Sequence, residues 1–133
     1  MDRLQSLTNL FSVEMNLADR IFGWLMVISA LLHGFGSLQL LPLLSELQIW
    51  SLSGALAALL LGALHLMRVG RPHDRTLTLV ALAGSVTWVI IALSFGVAIG
   101  NVLDPRALTH ATVAFVLGVF AVRSLWVSRA AGT

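Results

Sequence analysis

The chain has 133 residues, of which 58% are hydrophobic and only 11% charged, and eight basic against six acidic side chains leave a net charge of +2. A soluble domain carries roughly a quarter charged residues, so the composition excludes a water-soluble fold and leaves a single membrane-embedded domain over residues 1–133. With no Cys, disulfides, thiolate chemistry and cysteine-ligated clusters are excluded as well.

Residues 1–20 lack the basic start, short apolar block and small-residue cleavage site of a secretory leader. Leu4, Leu7, Leu10, Phe11, Leu17 and Ala18 recur at helical spacing, with Asp2, Arg3, Glu14, Asp19 and Arg20 between or beside them. This pattern predicts an amphipathic segment lying at the membrane interface and leading into the first span.

Four apolar stretches follow, about Ile21–Leu44, Ile49–Met67, Leu77–Ile99 and Ala107–Val122, none interrupted by Asp, Glu, Lys or Arg. A helix rises ~1.5 Å per residue, so ~20 residues cross a ~30 Å hydrocarbon layer. The expected fold is all-α: an integral membrane four-helix bundle with up-down-up-down topology, because short connections favour antiparallel neighbours.

The connections carry matching signals. Pro42 lies near the end of the first stretch, and Ser45 with Gln48 has capping-box spacing before the second. Gly70 and Pro72 close the second helix, and Asp74 or Thr76 caps the third. Gly100 and Asn101 end the third, and Asp104 caps the fourth with Pro105 in its first turn.

Arg3, Arg20, Arg68, Arg71, Arg75, Arg123 and Arg129 fall at one end of such a bundle and only Arg106 at the other. The positive-inside rule then places both termini in the cytoplasm, with a bacterial inner membrane as the expected location. Trp24, Trp126 and Trp50 fall at interfacial positions. The isoelectric point of about 11.2 follows from the lack of Lys, Tyr and Cys, and no basic patch with interleaved aromatics points to nucleic acid.

Each span carries a stripe of small or polar residues. The stripes are Ser29, His33 and Ser37; Ser51, Gly54, Ala58, Gly62 and His65; Thr78, Ala81, Ser85, Ala92 and Gly96; and His110, Ala114, Gly118, Ala121 and Ser124. Lipid is as apolar as leucine, so helices associate through close backbone approach and hydrogen bonds rather than hydrophobicity. Gly54, Ala58 and Gly62, and Ala92, Gly96 and Gly100, are the expected contact ridges. Their partners lie within the chain, in a second copy or in other membrane subunits.

Three histidines, His33, His65 and His110, lie inside spans, where ionisable groups face protein rather than lipid. Two histidines on facing helices at similar depth can ligate a b-type haem. Helical rise puts His33 ~18 Å and His110 ~25 Å above the arginine-rich face, and His65 only ~3–5 Å above it. His33 and His110 are therefore the candidate haem pair, with hydrogen bonding to Ser29, Ser37 or a backbone carbonyl as the structural alternative. His65 is expected to snorkel to the interface beside Arg68, and Trp88 to sit in the bundle core with its N–H on a hydroxyl or carbonyl.

Carboxylates are expected only outside the spans, and no serine–histidine elbow, HExxH or phosphate-binding glycine loop occurs. No catalytic residues and no metal site are expected. The leading expectation is a non-catalytic membrane subunit that anchors, spaces or stabilises a larger complex. A b-type haem electron-transfer anchor using His33 and His110 is the second, and a small holin-like or channel-forming protein the third.

Overall fold

A computed structural model describes residues 2–130, and side chains over 14–127. The described residues form four helices: α1 (Asp2–Leu40), α2 (Glu46–Val69), α3 (Arg75–Ala98) and α4 (Pro105–Ala130). Each contains a segment long and apolar enough to span a membrane: Glu14–Leu40, Glu46–Val69, Arg75–Ala98 and Pro105–Val127. The chain is an integral membrane protein.

Connections of five, five and six residues make every sequential pair antiparallel. α1 packs most extensively on α2 and α3 on α4, and contacts of α1 with α4 and α2 with α3 close the ring.

α1 runs from Asp2 without a break at Arg20, where an interfacial segment was expected to give way to the span. The side chains that would show an amphipathic face over residues 1–13 lie outside the described residues. α1 ends at Leu40 rather than Leu44. Pro42 has no N–H to continue the ladder and disfavours helical geometry at the residue before it.

The connection is then tied by Gln48, which is buried. Its amide donates to the carbonyls of Ser37 and Leu41 at 3.4 Å each, while its Oε1 accepts from Leu44 N–H at 2.8 Å. Ser45 accepts from Gln48 N–H at 3.2 Å. The capping box is therefore modified: Gln48 reaches one residue past the cap to Leu44, which stands at φ 59°.

Asp74 caps α3 by accepting from Leu77 N–H at 2.9 Å. At its other end Gly100, at φ +70°, lets Asn101 N–H reach Gly96 O at 2.9 Å and its own N–H reach Val97 O at 3.0 Å. This is a Schellman closure, available at little cost to glycine. Asp104 accepts from Arg106 N–H at 2.9 Å and opens α4.

The inward stripes follow the expected pattern. In α3 the buried residues are Thr78, Ala81, Ser85, Ala92 and Gly96. Met26, Ala30, Ala58, Leu61, Val113, Ala114 and Leu117 form the central core, with Phe22, Leu59, Trp88 and Val89 against it. Large apolar side chains such as Leu32, Phe35, Leu56, Ile90 and Phe115 face outward, as lipid solvent permits.

α1 and α2 approach closely at Gly62. A Cβ there would lie 2.8 Å from Val27 Cγ2 and 3.1 Å from both Gly23 O and Val27 N. Gly96 leaves room for the returning turn, since a Cβ would meet Asn101 O and Val102 Cα at 3.2 Å. The expected ridges are corrected at their ends. Gly54 and Gly100 have nothing within 4 Å of an added Cβ, so Gly54 borders a cleft and Gly100 serves the turn.

Candidate functional site

Two polar layers occupy opposite ends of the bundle. The first lies toward the Asp104 end and is built from the C-terminal half of α1, the first turns of α2 and α4, and the middle of α3. It brings together the two histidines singled out by depth: the rings of His33 and His110 have centroids 6.0 Å apart at an interplanar angle of 76°. Trp88 meets His110 edge-on, with centroids 5.9 Å apart.

The hydrogen bonds fix where the protons are. Ser37 Oγ donates to His33 O at 2.8 Å. Its single proton is thereby used, so at 2.6 Å it accepts from Ser51. Ser51 has then donated its own proton and accepts from His33 Nε2–H at 3.1 Å. His33 thus carries a proton on Nε2, and in the neutral ring its lone pair is on Nδ1. Trp88 Nε1–H donates to His110 Nδ1 at 3.4 Å, and indole only donates, so neutral His110 carries its proton on Nε2.

The remaining ring nitrogens are reachable from outside. No buried side-chain nitrogen or oxygen among the described residues lacks a partner, and neither His33 Nδ1 nor His110 Nε2 has one, so both are accessible. Two clefts border the pair. One of about 450 Å³ lies between α1 and α4, lined by Ser29, Leu32, Gly36 and Thr109. The other, about 280 Å³, is lined by Leu47, Trp50, Trp88 and Phe95. His33, Ser51, Arg106 and His110 line both.

Arg106 stands at the mouth. It makes paired contacts with Asp104, Nε to Oδ1 at 3.0 Å and Nη2 to Oδ2 at 2.9 Å, and lies 5.3 Å over the Phe95 ring. The Arg106 hydrogen bonds hold the Asp104 carboxyl down at about 2. Asp104 stays ionised at neutral pH and leaves little net charge at this entrance.

Iron held between two imidazoles needs a lone pair from each. His33 offers Nδ1 with its Ser51 bond intact. His110 would have to move its proton to Nδ1 and release Trp88. Among the described residues no group of three or more His, Cys, Asp or Glu is placed to hold a metal ion.

The second layer lies toward the arginine-rich end and corrects the expectation for His65. Its side chain is fully buried and does not snorkel. Arg68, also buried, donates from Nε and Nη2 to His65 Nδ1 at 3.4 and 3.3 Å. His65 Nε2–H therefore donates to Ser85 Oγ at 2.8 Å. Arg68 Nη2 also contacts both oxygens of Asp19 at 2.6 Å.

Asp19 is 6% exposed and lies within the Glu14–Leu40 span, contrary to the expectation that all carboxylates lie outside the spans. A buried guanidinium needs a counter-charge, and Asp19 supplies it from the neighbouring helix. A spacing signal for this existed. Asp19, Gly23, Met26, Ala30, His33 and Ser37 follow one another at alternating intervals of four and three, all on one face of α1.

Trp88 accepts no proton, and Met26, Ala58, Ala114 and Leu117 are wholly buried between the two layers. The hydrogen-bonded chain from Asp19 to Ser85 thus stops short of the His33–His110 layer. The chain matches no protein-family model, no curated protein and no solved structure.

Proposed function

We propose that this chain is a non-catalytic integral membrane subunit that anchors, spaces or stabilises a larger membrane assembly. The observation that supports this reading is the use made of its polar groups. His33, His65, Ser37, Ser51, Ser85 and Gln48 are hydrogen-bonded to neighbouring helices, and Asp19 is paired with Arg68. The exterior meanwhile presents apolar surface on every helix, including an α3–α4 groove of about 430 Å³ lined by Leu82, Val86, Phe115 and Val122.

The arginine distribution supports an orientation with both termini and the Arg71–Arg75 connection in the cytoplasm, in a bacterial inner membrane. Purification from native membranes in mild detergent should yield the chain with partners at fixed stoichiometry. Recovery only as a free monomer would contradict the proposal.

A second reading is a b-type haem anchor, and the approach of His33 to His110 favours it. It predicts a red preparation with a Soret band that His33→Ala or His110→Ala abolishes and His65→Ala leaves. A colourless protein from haem-replete cells would refute it.

A further inference from the structure

At the arginine-rich end the bundle has an open recess of about 190 Å³, bordered by Asn16, Asp19, Arg68, His73, Phe120 and Arg123. Its charges do not cancel. Asp19 neutralises Arg68. Arg123, half-buried on α4, forms no ion pair within 4 Å among the described residues, and neither does His73 in the connection between α2 and α3. Arg68 Nη1 reaches only Phe120 O, at 3.5 Å, so this donor is barely satisfied. Two guanidiniums therefore face one carboxylate at a single small recess, and the Nη1 of Arg68 is held there only by its long bond to Phe120 O.

The position of the recess narrows the ligand. Val69, Phe120 and Val127 form its apolar side. Val119, Val122, Trp126 and Val127 continue as an exposed apolar strip along α4. A recess of this size takes a phosphate group but not acyl chains, and the strip offers those chains a path in lipid. Basic pockets between helices at a membrane surface suit anionic headgroups.

We propose that this recess binds the phosphodiester of an anionic phospholipid, with Arg123 as the principal cation, Arg68 Nη1 as a second donor, and Phe120 and Val127 against the first acyl carbons. Arg68 itself is held in place by Asp19 and His65, so the donor is preset rather than ordered on binding.

The test is native mass spectrometry of delipidated full-length protein titrated with phosphatidylglycerol or phosphatidylcholine. Phosphatidylglycerol should bind at least about fivefold tighter, a difference of the size one basic side chain contributes near an anionic surface. Arg123→Gln should remove that preference. Arg75→Gln should keep it, because exposed Arg75 stands at the same end but outside the recess. Equal loss in both variants, or no preference between the lipids, would overturn the proposal by reducing it to general surface charge. Inorganic phosphate at millimolar concentration should not displace the lipid. Displacement would reassign the site to soluble phosphate and overturn the lipid assignment. Circular dichroism of Arg123→Gln should match the parent, since Arg123 makes no ion pair among the described residues.

Discussion

Adding one methyl group at Gly62 tests how the two halves of the first hairpin are held. The new Cβ would lie 2.8 Å from Val27 Cγ2, 3.1 Å from Gly23 O and 3.1 Å from Val27 N. A valine methyl yields by rotation, but the other two neighbours are backbone, so α1 and α2 must separate. Overpacking of this kind costs about 1–3 kcal/mol. Alanine in place of glycine also favours the helix, by roughly 0.8–1 kcal/mol. Gly54→Ala receives the helix gain alone, because nothing lies within 4 Å of its added Cβ. Comparing the two variants cancels the common gain and isolates the helix contact. Unfolding in mixed micelles of mild detergent and SDS should show Gly62→Ala less stable than Gly54→Ala by about 1–3 kcal/mol. Equal stability would refute the close crossing at Gly62.

Three further outcomes follow from the buried charges and the helix ends. Asp19→Asn leaves Arg68 buried without a counter-charge and should cost about 3–5 kcal/mol, while Asp19→Leu with Arg68→Met should recover most of it, read by the same unfolding assay. Asp104 has a folded-state value of about 2 against an ordinary 3.8. Its contribution is therefore whole above pH 3.8 and lost as pH falls through about 2, and Asp104→Asn should remove that part of the acid profile. Leu44→Gly should raise stability by up to about 1 kcal/mol by relieving a left-handed backbone at an exposed position, measured by thermal unfolding in detergent.

The four spans were legible because lipid imposes one rule over ~20 residues at a time, and the prolines and caps agree with it. Ser45, Asp74 and Asp104 cap where expected because each is a side-chain oxygen placed just before a helix. The inward faces were legible because small residues recur at helical spacing. Asp19 and Arg68 were missed because charge in a sequence reads as surface, and only a partner on another helix makes its burial tolerable. His65 was misread for the same reason: its depth gave its height but not the direction of its ring, which Arg68 and Ser85 decide. Gln48 was read for its spacing to Ser45, while its length let it bridge to the end of α1. The meeting of His33 and His110 was anticipated from depth alone, but the tautomers that govern what they can bind depend on Ser51, Ser37 and Trp88, three residues on three helices.

The central claim is that the chain crosses the membrane four times, and the absence of cysteine makes it open to direct mapping. Single cysteines at Glu46, His73 and Asn101, treated in sealed vesicles with a membrane-impermeant maleimide, report one connection each. The account predicts that Glu46→Cys and Asn101→Cys react from the same side, that His73→Cys reacts only from the opposite side, and that Ala58→Cys in the buried core stays unlabelled. Reaction of His73→Cys and Glu46→Cys from one face of the vesicle would contradict it.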